Sequence, residues 1–315
     1  MGEDMKDLRV VFMGTPDFAV PVLKYLIDNT NVVLVVSKVD AYVGRHRILT
    51  PSPVKKVALD NNIPVFTPHR LRDEYQEVID KKPDIIITCA YGQIVPEILL
   101  ETPRLKCINV HASLLPKYRG ASPISKCIMD GENTTGITIM YMDKTLDTGN
   151  IIYQKSIDVT EKDTLGTLTE KLSELGAITL SEVLSSIING TNASIKQNDE
   201  LSSYASIIKR EDEELKFNKS VIDVYNHIRS LNPSPLANVK INGEEWKIVE
   251  AEIGSSKIGE VGIISEVNKD SFGINCEDGV ILIKVIKPAG KKIMDVKSFF
   301  NGYDKNKLLN IKVGE

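Results

Sequence analysis

Residues 107–111 read Cys-Ile-Asn-Val-His, a short apolar run with a carboxamide and an imidazole set into it at alternate positions. Successive side chains of a strand point to opposite faces, so Asn109 and His111 share one face. A buried strand ordinarily places valine or isoleucine there, and a titratable pair at its end is unusual. Further on, Met142-Asp143-Lys144-Thr145-Leu146-Asp147-Thr148-Gly149 is a turn-rich loop between two strand-like runs and brings two carboxylates. An amide donor for an oxyanion, an imidazole for proton traffic and a carboxylate to hold it are the parts of an acyl-type transfer. The same Asn-x-His could equally cap the next turn, with His111 bonded to backbone, and the local residues alone do not choose. Asp143 reads as a turn residue rather than a second base.

Other candidates carry less. Gly14-Thr15-Pro16 lacks both the lysine and spacing of a phosphate loop and the glycines of a dinucleotide fingerprint. His69 and His227 read as surface or packing residues. Cys89, Cys107, Cys127 and Cys276 stand far apart with no metal-ligand spacing, and fit buried free thiols in a reducing compartment. Trp246, the single tryptophan, reads as core.

The elements that must position these residues follow from periodicity. From Leu8 to about Tyr153, short apolar runs (Leu8–Met13, Val32–Val36, Ile63–Phe66, Asp84–Ala90, Cys107–Val110) alternate with amphipathic stretches. That pattern predicts strand–helix crossovers and an α/β, Rossmann-like, mostly parallel sheet, with ligands expected beyond the strands' carboxyl ends. Asp17 is placed to cap the helix that runs to Leu26. Ile137–Met142 and Ile151–Val159 add an antiparallel pair at one edge, and a helix from about Thr164 to Ile188 closes the unit at Asn189-Gly190. Thr191–Arg210 is polar and reads as an extended linker. Beyond a helix at Val221–Leu231 come only short strands and glycine turns, including Asn242-Gly243, a strong hairpin signal. These predict a small β-barrel of the oligonucleotide-binding type. The expected organisation is thus a catalytic domain over 1–190, a linker over 191–209 and a C-terminal β-barrel domain over 210–315.

Asn109-Val110-His111-Ala112-Ser113-Leu114-Leu115-Pro116-Lys117-Tyr118-Arg119-Gly120 resembles the signature of the folate-dependent formyltransferases. Leu146-Asp147-Thr148-Gly149 is similar to that family's second motif. The resemblance implies Asn109, His111 and Asp147 as the catalytic trio. It implies folate contacts from Ala90, Tyr91, Gly92, Ser113, Leu114, Leu115 and Pro116, and no metal. Within the family, glycinamide ribonucleotide formyltransferases are shorter and lack a C-terminal barrel, whereas amino-sugar formyltransferases and folate hydrolase domains share the trio and can carry a similar appended domain. Three segments here resemble the methionyl-tRNA branch: Phe12–Phe18, the loop Gly44–Lys55, and Pro288–Met294. That branch implies transfer of the formyl group of 10-formyltetrahydrofolate to the α-amino group of methionyl initiator tRNA. It also implies tRNA contacts from Arg45, Arg47, Lys291 and Lys292. One departure stands in the loop: Val39-Asp40-Ala41-Tyr42 replaces a Pro-Asp-Arg-Pro-like stretch, and His46 stands at a glycine, while Arg45 is retained.

Charge gives an independent line. The chain's 39 basic and 43 acidic residues leave a formal net charge of −4, which argues against holding nucleic acid by overall charge. Two segments run the other way. Lys38–Lys56 holds five basic residues against Asp40, a balance of +4. Lys284–Lys312 holds eight lysines against Asp295 and Asp304, a balance of +6. Concentrated basic segments in an acidic chain are candidate phosphate contacts. With 42% apolar and 26% charged residues, no low-complexity tract and no run long enough to span a bilayer, the expectation is a cytoplasmic monomer with no membrane partner.

Overall fold

The computed structural model describes residues 5–44, 46–256 and 259–314. The chain divides into two compact units: the first holds the residues up to Pro123, Thr134–Asp158 and Thr169–Ser206, and the second holds Ile124–Asn133, Val159–Leu168 and the residues from Ile207 onward.

In the first unit the strands are β1 (Arg9–Gly14), β2 (Asn31–Val36), β3 (Ala41–Val43), β4 (Ile48–Thr50), β5 (Val65–Phe66), β6 (Ile85–Cys89), β7 (Cys107–His111), β8 (Arg119–Gly120), β9 (Thr134–Tyr141), β10 (Ile151–Asp158) and β11 (Tyr204–Ala205). Seven of them form one sheet in the order β10-β9-β7-β6-β1-β2-β5. The five from β5 to β7 are parallel, and β9 and β10 are antiparallel at one edge. Val10, Val11, Phe12 and Met13 are all fully buried, which is why β1 reads as an unbroken apolar run: both faces of a parallel sheet are covered. The chain leaves β1 for β2 and β5, then returns to lay β6 on β1's other side. That reversal makes the β1/β6 carboxyl ends the switch point, where open α/β sheets bind ligands.

Helices α1 (Val20–Asn29), α2 (Pro53–Asp60), α3 (Gln76–Asp80), α4 (Glu97–Glu101), α5 (Pro123–Met129) and α6 (Leu165–Ile188) occur between and after these strands. Ser52 caps α2, its side chain accepting from the Lys55 amide at 3.0 Å, with Pro53 in the first turn. Asp17 does not cap α1. Pro16 sits in extended conformation at the start of a short 3₁₀ turn, Asp17 is the first residue inside that turn, and α1 begins at Val20 with no side-chain cap. The loop after β2 is also more ordered than its polarity suggests: β3 and β4 pair as a small antiparallel hairpin whose residues are all exposed.

In the second unit, α7 (Val221–Ser230) precedes β12 (Ala237–Ile241), β13 (Glu244–Ile253), β14 (Ile264–Val267), β15 (Phe272–Asn275), β16 (Val280–Lys287), β17 (Met294–Asp295) and α8 (Val296–Phe300). The antiparallel order is β12-β13-β16-β15-β14, with β17 on β16. Asn242 and Gly243 join β12 to β13 with φ of 52° and 76°, the paired positive angles of a type I′ hairpin. The sheet curls as a half-barrel around Trp246, whose ring meets Phe272, Phe299 and Tyr303 edge-on at centroid distances of 6.4, 5.0 and 6.3 Å. The two end strands are linked by the segment after α8: the Gly314 amide donates to the Lys240 carbonyl at 2.9 Å, and the Ile264 amide to the Ile311 carbonyl at 2.9 Å.

Burial pushes His227 in α7 below its ordinary value of 6.5, and its Nε2 lies 2.7 Å from the Asp212 carbonyl. The unfolded chain takes up a proton near pH 6.5 that the folded chain resists, so this residue's share of stability is lost as pH falls from 6.5 toward the depressed folded value. Urea midpoints compared at about pH 7 and about pH 5.5 are expected to fall less in His227→Gln than in the parent; equal slopes would place the titration elsewhere.

Candidate active site

The β6–β7 pair sets the site's floor. Thr88 of β6 pairs with Asn109 of β7, which in turn pairs with Met140 of β9. The Thr88 hydroxyl donates to Asn109 Oδ1 at 2.8 Å. With its carbonyl oxygen held there, Asn109 offers its amide N–H groups to the cleft above. His111, two residues on, is 6% exposed, and its Nε2 lies 3.0 Å from the Tyr118 carbonyl. A carbonyl only accepts, so Nε2 carries the hydrogen and, in the neutral ring, Nδ1 holds the free lone pair. Nδ1 faces Asp147 Oδ2 at 3.8 Å.

Asp147 is held by its own backbone and by its neighbours. It sits at φ 54°, the left-handed region that aspartate tolerates better than most residues, and Oδ2 accepts from the Gly120 amide at 2.8 Å. The amide donor, the imidazole and the carboxylate thus converge on one cleft of about 580 Å³, within the range of small-ligand sites. Its walls include Ile94, Val95, Met140 and Met142, apolar surface ending at the polar trio. Among the described residues no group of three or more His, Cys, Asp or Glu is placed to hold a metal ion.

Of the other expected site residues, Tyr91 and Gly92 line the cleft. Ala90, Ser113, Leu114, Leu115 and Pro116 are not part of its lining. Ala90 turns at φ 47° with its side chain exposed. Ser113 is fully buried and donates to the Lys117 carbonyl at 2.7 Å, so it shapes the turn after β7. Leu115 packs with Met140 and Ile151. Arg47 is exposed in the β3–β4 turn, its guanidinium 5.3 Å from the Tyr42 ring centroid. Arg45 lies outside the described residues. In the second unit Lys291 and Lys292 are exposed, Lys291 lying 5.3 Å from the Phe299 ring centroid.

Comparison with known proteins bears on what such a cleft serves. Residues 8–184 match the family described as formyl transferase, and residues 207–304 match its C-terminal domain. The chain belongs to the formyl transferase family. As a formyl transferase it is 48% identical over 297 residues to a methionyl-tRNA formyltransferase of Staphylococcus epidermidis, covering 93% of this chain and 96% of the relative. It is 46% identical over 311 residues to the enzyme of that name in Staphylococcus aureus, covering 98% of each chain. Among solved structures, the Helicobacter canadensis N-formyltransferase in complex with folinic acid and dTDP-3-aminofucose aligns with a TM-score of 0.68 at 26% identity, over 88% of this chain and 98% of that one. A methionyl-tRNA formyltransferase from Clostridium thermocellum aligns with a TM-score of 0.54 at 19% identity, over 78% of this chain and 94% of that one, which speaks to fold alone.

Two parts of this formyl transferase's site went unread in the sequence. Thr88 was open to reading, since it interrupts Ile85-Ile86-Ile87 with a hydroxyl at a strand's end, on the face that Asn109 shares. The backbone contacts from Tyr118 and Gly120 carry no side-chain signal at all.

Proposed function

We propose that this formyl transferase moves the formyl group of 10-formyltetrahydrofolate to the α-amino group of methionyl initiator tRNA. The acceptor rests on the near-half identity to methionyl-tRNA formyltransferases, which runs through both units rather than the cleft alone. The donor is supported by the cleft's size and its apolar walls, which suit a flat aromatic ring system. The formyl carbon lies at the polar end. Asn109 donates to the oxygen as negative charge builds on it during attack by the amine. As the new C–N bond forms and the bond to the folate nitrogen breaks, one proton must pass from the amine to the leaving nitrogen. His111 Nδ1 takes and returns it, and Asp147 faces the nitrogen that is positive in between. Leu115 supports a wall from behind through Met140, Tyr91 and Gly92 touch the donor, Ala90, Ser113, Leu114 and Pro116 border that contact, and Arg45, Arg47, Lys291 and Lys292 contact tRNA phosphates.

One observation favours a sibling reading: the Helicobacter structure at 26% identity bears an amino-sugar nucleotide in its complex. A formyl-transfer assay with 10-formyltetrahydrofolate, offering charged initiator methionyl-tRNA beside an amino-sugar nucleotide, separates the two. Formylated methionyl-tRNA with the sugar untouched is expected, and transfer to the sugar alone would overturn the acceptor while keeping the cleft chemistry. In the same assay Arg45→Ala and Arg47→Ala are each expected to raise KM for tRNA by roughly tenfold, the size of one charge-assisted hydrogen bond. Unchanged tRNA kinetics in both would make the hairpin a bystander.

A further inference from the structure

We infer that Gln197 is the positioning residue for Asp147, holding the catalytic loop from a strap of chain that runs behind it; this rests on the role proposed above for Asp147. Residues 195–205, polar enough to read as linker, belong to the first unit. Tyr204 and Ala205 pair in parallel with Arg119 and Gly120. The Arg119 amide donates to the Ser203 carbonyl at 2.9 Å, and the Tyr118 amide to Ser203 Oγ at 3.0 Å. The strap therefore supports the two backbone groups that hold His111 and Asp147: the Tyr118 carbonyl on His111 and the Gly120 amide on Asp147.

Gln197 makes the direct link. Its Nε2 donates to the carbonyls of Asp147 and Gly149, both at 2.8 Å. Its Oε1 accepts from Arg119 Nε at 3.1 Å and from Nη2 at 2.8 Å. A guanidinium only donates, so the carboxamide has one orientation, with both of its N–H groups committed to the loop. Arg119 is 2% exposed and also donates from Nη2 to Asp199 at 2.7 Å. The loop's other ties are an exposed ion pair of Lys144 with Glu97, a Thr145–Thr148 hydroxyl contact and the Gly120 amide on the Asp147 carboxylate, and Asp147 occupies a left-handed backbone angle that must be held. A side chain of this length with one acceptor and two donors is what the gap between guanidinium and carbonyls requires.

Gln197→Glu leaves Arg119 an acceptor but turns the donation to the loop into an oxygen facing the two carbonyls, with a charge that Arg119 opposes. It is expected to lower kcat by about 10- to 100-fold, the scale of a misplaced reacting group, with KM for both substrates within about twofold. The double variant with Asp147→Asn is expected to be no slower than Asp147→Asn alone, because groups acting through one another are not additive. The ¹⁵N signals of the His111 ring should move in Gln197→Glu toward their positions in Asp147→Asn, which a purely structural glutamine would not cause. Gln197→Met, uncharged and of similar volume, repeats the measurement if the glutamate loosens the fold. Unchanged kcat, multiplying losses in the double variant, or a loss confined to thermal stability would overturn the inference alone. Full turnover in Asp147→Asn would overturn the reading of Asp147 itself, and the inference with it.

Discussion

Asn109→Ala is expected to lower kcat by about 10²- to 10³-fold, the cost of removing one preorganised oxyanion donor. The carboxamide cannot serve as a general base or a nucleophile, so its value lies in an N–H group aimed at charge that exists only during reaction. Its aim is set before substrate arrives, by the Thr88 hydroxyl that occupies the carbonyl oxygen. Ground-state affinity should therefore hardly change. Single-turnover rates with saturating substrates, together with a folate-binding titration, separate the two quantities. A variant with near-normal turnover would remove Asn109 from the mechanism, and one that lost binding in proportion to rate would make it a ligand contact instead.

The second large effect is expected at Gly149, two residues beyond Asp147. A Cβ built there would lie 1.8 Å from the Tyr141 carbonyl oxygen and 2.8 Å from its carbon. The obstacle is backbone in the last residue of β9, and a Cβ has no rotamer with which to avoid it. Gly149→Ala must displace either the strand or the loop, and the loop carries both Asp147 and a carbonyl bonded to Gln197. A loss of about 3 kcal/mol or more in urea unfolding is expected, with turnover down at least about 10²-fold. Gly302→Ala, where an added Cβ meets nothing within 4 Å, is the matched control. Parent-like stability and turnover in Gly149→Ala would mean that the chain accommodates the methyl by a movement that leaves Asp147 in place.

That glycine shows what the sequence made legible and what it hid. The alternation of Asn109 and His111 on one strand face, the apolar runs of a parallel sheet and the Asn242-Gly243 hairpin are local patterns, and each can be read from a few neighbouring residues. The meaning of Gly149 depends on Tyr141 passing beside it, which spacing does not announce. The segment around Gln197 is harder still. Its side chains are polar because their partners are Arg119 and the backbone of the Asp147 loop, and composition alone cannot distinguish a polar strap from a solvated tether. For Ser113–Pro116 the motif places them beside the trio in sequence, and only the structure shows that the turn after β7 directs Ser113 to the Lys117 carbonyl and Leu115 onto Met140 and Ile151. Arg45 lies outside the described residues, so its assignment rests on the sequence.

The strap also bears on how the molecule comes together. Arg119 and Gln197 are 78 positions apart, and Tyr118 and Ser203 are 85 apart. Contacts between such distant positions form only after a long loop has closed, and loop closure is an entropic cost met before any bond rewards it. The sheet strands β1, β2, β6 and β7 are complete well before the residues that hold the Asp147 loop enter the chain. A nascent or truncated chain ending near Asn189-Gly190, where composition first changes, would hold Asn109, His111 and Asp147 but not Gln197, Asp199 or Ser203. If Gln197 positions Asp147 as inferred, competence for chemistry comes late in assembly, and an excised catalytic fragment is expected to need the chain through Ser206.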